Sequence, residues 1–239
     1  LQLNESKTKY VIFRPINKRD NDALKIEFKN TTLEQVKEQK FLGVWFHEEL
    51  TWNAHVSHIK TQLSRAIGCM YRIANLIPLW LKKCLYHSLF YSHLSYGILV
   101  WGTTTNGNYH QLSVLQNKVL RMYADYHGNI QDFHCEPHYE IHNMLKADQV
   151  YYFTLAKFIH KNKLYVEFSK TRDDKAYSFR HTKRPMPRIR TNYGMQKLNY
   201  QITGLLNTLE GECNYSDSFL KYKTNVKRVL ISKNIAFKN

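Results

Sequence analysis

Apolar and polar residues alternate in parts of the N-terminal region, and such a period of two is typical of half-buried β-strands. Leu24, Ile26 and Phe28 follow this period. Runs of β-branched and aromatic residues at 10–13 and 36–46 strengthen the pattern, because such side chains favour the pleated backbone. We therefore expect roughly three antiparallel strands, which form the edge of a small sheet.

The period changes to steps of three and four residues beyond Trp52, as in a helix that packs along one seam. The first helix is predicted from about Ala54 to Ile77, before Pro78. Its apolar seam consists of Val56, Ile59, Leu63, Ala66, Met70, Ile73 and Ile77. A second helix, Leu79 to about Leu94, is apolar on most sides, so we expect it in the middle of a helical bundle.

Later helical patterns complete the predicted fold. They run from about Gln111 to Tyr123, from Pro137 to Lys146, from Asp148 onward, and from about Ser218 to Ile235. Residues 170–190 are instead rich in Lys and Arg, and two prolines favour an extended backbone there. The predicted fold class is mainly α, with a small N-terminal antiparallel β remnant, a helical bundle and a basic C-terminal region that ends in a helix.

The charge balance indicates the class of partner. Lys and Arg total 35 against 19 Asp and Glu, which gives a formal charge of +16. Such an excess favours a polyanionic partner, and the interleaved aromatic residues favour a nucleic acid. The alternative is a basic soluble domain without such a partner.

The cysteines and the hydropathy of the chain indicate its cellular compartment and the kinds of site and partner to expect. Cysteines stand at 69, 84, 135 and 213 without C-x-x-C spacing, which predicts neither a disulfide framework nor a zinc ribbon. This usage fits a reducing intracellular compartment, nuclear or cytoplasmic. Polar residues interrupt the most apolar stretch, Cys84 to Trp101, so we expect no membrane partner. Cys135, His138 and His142 have spacings that a zinc ion could use, but we favour exposed and capping histidines and predict no metal site.

One stretch, Lys40 to Trp52, joins the strand region to the helical region. Its sequence is KFLGVWFHEELTW, in which a short apolar strand is followed by a polar turn and a helix start. Gly43 allows another backbone or a ligand to approach closely.

This stretch, together with the HV-x-x-I that follows, resembles the end of the palm and the start of the thumb in reverse transcriptases of non-LTR (LINE-type, jockey-like) retrotransposons. Other segments resemble the same family in the same order. They are Leu3-Asn4-x-x-Lys7-Thr8, Leu85 to Gly102, Leu115 to Lys118, and Arg190 to Gly194. The resemblance covers residues 3 to 231. Each segment alone is a weak match, but the five segments occur in the same order as in the family, which makes the resemblance strong.

The resemblance implies a division of the chain. Residues 1–50 correspond to the end of the palm with the primer-grip hairpin, 51–163 to a thumb-like helical bundle, and 164–239 to the basic C-terminal region. In the family, the grip supports the 3′ end of the growing strand. The implied partners are RNA, an RNA–DNA hybrid or DNA, together with the N-terminal palm, fingers and endonuclease parts of the polymerase.

The family's metal-binding motif is not found ahead of the grip. Polymerases of this family carry an aromatic-x-Asp-Asp motif there, whereas the single Asp-Asp pair of this sequence is Asp173–Asp174. We therefore predict a primer–template-binding part of an RNA-directed DNA polymerase that is not active alone. It needs no cofactor of its own, and Mg²⁺ is expected only for the complete polymerase. The alternative is a stand-alone, non-catalytic nucleic-acid-binding module derived from a retroelement.

The resemblance and the charge pattern also nominate site residues. Lys7 takes the position of a lysine that can assist the leaving pyrophosphate, and its alternative role is that of an exposed strand residue. Phe41, Leu42, Gly43 and Val44 form the grip. Basic residues off the helical seam and in the tail are expected to meet phosphates, namely Lys60, Arg65, Arg72, Arg184, Arg188 and Arg190.

Overall fold

Short strands dominate the N-terminal part of the computed structural model, which describes residues 8–15, 24–28, 31–168 and 183–236. The chain divides into two compact units, Leu1–Gln62 and Leu63–Asn239. In the described part of the first unit, the strands are β1 (Lys9–Tyr10), β2 (Glu27–Phe28), β3 (Thr31–Thr32), β4 (Glu34–Gln35), β5 (Glu38–Phe41) and β6 (Val44–His47).

The strands pair in twos. β2 with β3 and β5 with β6 are antiparallel, as predicted. β1 pairs with β4 in parallel, which differs from the expected antiparallel arrangement. The reason lies in the connection, because the chain between β1 and β4 is long enough to return to the same end, whereas a short hairpin must reverse direction.

Helix α1 (Asn53–Ile73) begins close to the predicted residue and ends earlier. Val56, Leu63 and Met70 of its seam are at most 1% exposed. A 3₁₀ turn, Ala74–Leu76, follows the helix and tightens the backbone before the predicted end. Ile73, the last residue of α1, is already exposed, so the buried seam ends before it.

The predicted second helix extends from Leu79 to Ser95, close to its expected bounds. It consists of α2 (Leu79–Leu85), a π-helical segment (Tyr86–Tyr91) and α3 (Ser92–Ser95), and the backbone stays in the right-handed helical region at both junctions. The π segment is an addition that the apolar pattern did not predict. Such segments often occur at functional sites.

The remaining helices of the described chain belong to the second unit. They are α4 (Ile98–Trp101), α5 (Asn106–Tyr123), α6 (Cys135–Ile141), α7 (Ala147–Lys161), α8 (Leu164–Glu167), α9 (Asn192–Met195), α10 (Leu198–Thr208) and α11 (Phe219–Ser232). Helix α7 contacts α3, α4, α5, α8, α10 and α11, so it forms the centre of the second unit. The observed fold class is mainly α with small two-stranded sheets, which confirms the prediction.

A buried hydrogen-bond network connects α5 to its neighbours. The Gln116 side chain is fully buried, and its amide donates to the Tyr86 hydroxyl at 2.9 Å and to the Leu145 carbonyl at 2.6 Å. The Tyr139 hydroxyl contacts the Gln116 Oε1 atom at 3.2 Å and the Asn117 Oδ1 atom at 2.8 Å. These contacts explain how α5 accommodates the buried Gln116, since buried polar groups need partners.

Within the described ranges, no helix has both the length and the apolar character that crossing a membrane requires.

Candidate nucleic-acid interface

The β5–β6 hairpin carries the predicted grip residues at its tip. Leu42 and Gly43 form a two-residue turn with φ angles of 45° and 83°, as in the type I′ turns that suit the twist of a hairpin. Phe41 is 63% exposed and Leu42 is 75% exposed. Val44 is buried, so it supports the tip rather than offering a contact surface. The structure thus brings the four predicted residues together and divides them into exposed and supporting positions.

The base of the hairpin is held by the rest of the first unit. The Phe46 ring packs edge-on against Phe13 and Trp52, with ring centroids 6.3 Å and 5.7 Å away. The buried Glu48 carboxylate pairs with the Arg14 guanidinium at 2.8 Å, and the Arg14 backbone N–H donates to the Glu48 carbonyl. A firm base allows the turn to keep a leucine in a left-handed conformation that leucine rarely adopts.

His55 connects the hairpin to the first turn of α1. The Trp45 backbone N–H donates to the His55 Nδ1 atom at 3.4 Å, and the His55 side chain is buried. Burial, followed by the charges of His58 and Lys40, lowers the pKa of His55 to about 4. The imidazole is therefore neutral near pH 7 and able to accept this bond.

Two of the predicted α1 cations share one face of the helix. Arg65 and Arg72 are exposed and lie seven residues apart, which is close to two helical turns. Ser64 and Gly68, which are small and exposed, lie beside them, so a large ligand can approach this face. Lys60 is also exposed, but helical geometry places it on a different face from Arg65. Lys7 lies outside the described residues.

Arg184 makes contacts within the protein that the sequence did not predict. Its Nε–H donates to the Phe168 carbonyl at 2.8 Å, and its guanidinium also contacts the Leu206 carbonyl and the Glu210 carboxylate. Asn207 bonds both the N–H and the carbonyl of Arg184. The Arg184 guanidinium therefore fastens the tail segment to α10, and its predicted contact with a phosphate stays a prediction.

Arg188 and Arg190 remain exposed in the same tail segment. Beyond them, the Thr191 hydroxyl caps α9 by accepting from the Gly194 N–H at 3.2 Å. A Cβ atom at Gly194 would lie 2.2 Å from the Ile189 Cγ2 atom, so this position requires glycine for packing. The tail motif therefore combines a structural turn with two arginines that face solvent.

The histidines around His138 stack with aromatic rings. The His138 ring lies 4.5 Å from the Phe133 ring and 5.9 Å from the His142 ring, and His142 contacts Tyr123. Across the parts of the chain that the structure describes, no group of three or more His, Cys, Asp or Glu side chains could hold a metal ion.

Sequence reasoning missed a basic pocket in the second unit. Lys157 of α7 and Lys223 and Lys227 of α11 line it together with side chains of the π segment. The spacing of four residues between Lys223 and Lys227, which places both on one helix face, was the available signal. Their proximity to Lys157 depends on how α11 packs on α7 and is not visible in the sequence.

Comparisons with known proteins agree with the resemblance described above. The chain is 27% identical to the "Probable RNA-directed DNA polymerase from transposon X-element" of Drosophila melanogaster over 123 residues, which cover 50% of this chain and 13% of that protein. It is 28% identical to the "Probable RNA-directed DNA polymerase from transposon BS" of the same organism over 106 residues, which cover 42% of this chain and 11% of that protein. No protein-family model and no solved structure matches the chain. These similarities support a region derived from a non-LTR reverse transcriptase, and the chain spans a small part of the length of these relatives.

Proposed function

We propose that this chain binds primer–template nucleic acid as part of a retrotransposon RNA-directed DNA polymerase, with the β5–β6 hairpin as its primer grip. The observation that carries the proposal is the hairpin tip, where two large apolar side chains, Phe41 and Leu42, are mostly exposed on a firmly supported turn. Exposed apolar groups at such a tip gain free energy when a sugar or base covers them.

The backbone of the turn also suits a nucleic-acid strand. Gly43 has no side chain, so a sugar–phosphate backbone can approach the peptide closely. Leu42 is held at a positive φ, and strain of this kind often persists where function requires a particular geometry. The neighbouring Lys37 and Lys40 add positive charge along β5 and the residues before it.

We propose that exposed cations outside the hairpin contact phosphates. Arg65 and Arg72 on α1, Lys60 on the same helix, and Arg188 and Arg190 in the tail are suited to pair with phosphates without reading the base sequence. The formal charge of +16 supports this assignment.

The proposed contribution of the chain to the polymerase is binding rather than chemistry. Nucleotide transfer by polymerases uses two metal ions on carboxylates, and this sequence carries no aromatic-x-Asp-Asp motif ahead of the hairpin. Lys7 would assist the leaving group only in a polymerase whose other parts supply Mg²⁺.

The tip can be tested without disturbing the turn. In the double variant Phe41→Thr/Leu42→Asn, threonine keeps a strand-forming residue and Asn-Gly is a preferred type I′ turn pair, so the hairpin is retained while the apolar tip is removed. We expect the variant to bind an RNA–DNA hybrid with a recessed primer 3′ end roughly tenfold or more weakly, as measured by fluorescence anisotropy.

The matched control is Ile130→Ser/Ile141→Ser, which removes two side chains of similar exposure, 66% and 69%, from the second unit. This control should bind like the original chain. Equal affinity of the tip variant and the original chain would remove the hairpin from the interface.

A further inference from the structure

A basic pocket of about 240 Å³ lies in the second unit, between the π segment, the connection before α7, and helices α7 and α11. The cations that line it are Lys157, Lys223 and Lys227. The remaining lining residues are Tyr86, His87, Tyr91, Asn143, Met144, Leu145 and Phe153. No Asp or Glu is among the described residues of this lining, so the pocket combines positive charge with aromatic walls.

Three lysine side chains line this one pocket, and Lys223 is near enough to Lys157 and to Lys227 for its charge to act on each of them. Burial lowers the pKa of Lys157 and of Lys227, and the charge of Lys223 lowers both further. The pKa of His87 is lowered as well, by burial and then by Lys227. The Lys157 Nζ atom lies 4.6 Å from the centre of the Phe153 ring, which stabilises its charge only in part.

The described protein provides no acidic partner for this cluster. None of the three lysines lies within ion-pair distance of a described carboxylate, and Glu140 lines the adjoining groove along α11 but not the pocket itself. Like charges that a fold gathers without a counter-charge destabilise it, and a bound anion removes this cost. The cluster therefore indicates a ligand with negative charge.

We propose that this pocket binds a phosphate group of an unpaired nucleotide strand. Lysines from two helices approach a tetrahedral anion from different sides, and each ammonium has three donors for its oxygens. His87 and Tyr91, whose ring centroids are 5.5 Å apart, offer aromatic surface for the sugar or base attached to that phosphate.

A larger groove, with a volume of about 450 Å³, adjoins the pocket. It shares Asn143, Phe153 and both α11 lysines with the pocket, and it adds Arg228 and one carboxylate, Glu140. A phosphate bound in the pocket can therefore have a neighbour along the groove. The assignment of this phosphate to a nucleic acid rests on the proposed function. The preference of the pocket for a phosphate rests on its three lysines alone.

Isothermal titration calorimetry of the full chain at fixed ionic strength tests the proposal. The probes are adenosine 5′-monophosphate, adenosine, inorganic phosphate and a short single-stranded RNA. We expect the monophosphate to bind at least about tenfold more tightly than adenosine, because a charge-assisted contact is lost without the phosphate. Inorganic phosphate and the RNA should both compete with it.

The variant Lys157→Met/Lys227→Met should abolish the difference between monophosphate and adenosine. Methionine keeps the apolar stem, so we expect this variant to fold and to melt at a higher temperature than the original chain in the absence of anion. Lys223→Met is a second variant at a more exposed position. Lys118→Met, an exposed change on α5, is the control and should leave binding unchanged.

Equal binding of monophosphate and adenosine, or unchanged binding by both pocket variants, would overturn the proposal. Monophosphate binding that the RNA fails to displace would retain a phosphate pocket and overturn its assignment to a strand. The hairpin variant Phe41→Thr/Leu42→Asn should keep full monophosphate affinity, so failure of the grip and failure of the pocket are distinguishable.

Discussion

At the scale of single residues, His55 shows how one side chain adds a pH dependence to the hairpin. The Trp45 N–H requires an acceptor at the His55 Nδ1 atom, and protonation removes it. Burial lowers the pKa of His55 to about 4 in the folded chain. As the pH falls, His55 of the unfolded chain therefore binds a proton at a higher pH than His55 of the folded chain does. The contribution to stability is therefore complete above about pH 6.5 and is lost as the pH falls toward 4.

We predict that His55→Asn removes this dependence. Asparagine places an acceptor near the position of Nδ1 and does not titrate in this range. The free energy of unfolding of the first unit should fall by on the order of 3 kcal/mol more in the original chain than in the variant between pH 7 and pH 4. Urea unfolding followed by tryptophan fluorescence at several pH values measures this difference, and parallel pH curves for the two chains would contradict it.

At the scale of elements, the tail segment 183–190 contains arginines of two kinds. Arg184 is bonded to the carbonyls of Phe168 and Leu206, whereas Arg188 and Arg190 are exposed. The sequence could not separate them, because the partners of Arg184 lie 16 and 22 residues away along the chain. Arginines in one short basic segment thus differ in environment, because Arg184 packs against the protein and the other two face solvent.

We predict that Arg188→Gln/Arg190→Gln lowers the slope of log affinity against log salt by about 1.4 to 1.8, since each lost phosphate contact removes about 0.7 to 0.9. Arg184→Gln should leave the slope nearly unchanged and lower the free energy of unfolding by roughly 1 to 3 kcal/mol, because carbonyl acceptors lose their donor. Binding of an RNA–DNA hybrid at several salt concentrations, together with urea unfolding, separates the two effects. A slope that changes with Arg184 and not with the other two arginines would reverse the assignment.

The extent of a helix was predictable from the sequence where the apolar residues and the residues that end the helix are close together along the chain. The extent of the second helix, Leu79 to Ser95, follows from its apolar residues and from Pro78 before it. Its π segment was not predictable, because an extra residue in one turn leaves the apolar content unchanged. The segment makes tertiary contacts with α5, such as the edge-on packing of the Tyr86 and Tyr123 rings and the bond between Gln116 and Tyr86.

The strands were less predictable than the helices. Residues 44–47 form a strand where the sequence indicated one, because the turn at Leu42–Gly43 sets the register locally. The parallel pairing of Lys9 with Glu34 joins distant segments. A period of two gives the face of a strand and not the direction of its partner.

At the scale of the whole molecule, the sequence indicated separate basic segments and motifs that resemble a family. It did not indicate that the second unit brings distant lysines together in one pocket. Lys157 and Lys227 are 70 positions apart, and both line the same pocket. The fold half-buries Lys227, although lysine side chains are mostly exposed in folded proteins. Burial depends on the packing of α11 against α7, so only the folded structure relates these two cations.

Catalysis can be tested on the chain as a whole. We expect the purified chain to bind a primer–template and to show no template-dependent nucleotide incorporation with Mg²⁺ or Mn²⁺. Binding requires positive charge, which the sequence has, and the proposed grip, whereas phosphoryl transfer requires carboxylates that hold two metal ions at the primer terminus. A gel-based extension assay, with an active reverse transcriptase as the positive control on the same substrate, measures this.

Incorporation that depends on the template would contradict the prediction, and one variant would then identify its source. Asp173–Asp174 is the single adjacent pair of aspartates in the sequence, and it stands after the grip and without the family's preceding aromatic residue. If Asp173→Asn/Asp174→Asn abolished the activity while binding persisted, this pair would hold the metal ions and the chain would be a polymerase of altered motif order. If the activity survived that change, it would come from carboxylates that no motif of the family indicates. Absence of incorporation alongside tight binding would agree with a chain that grips the substrate and depends on other parts of the polymerase for chemistry.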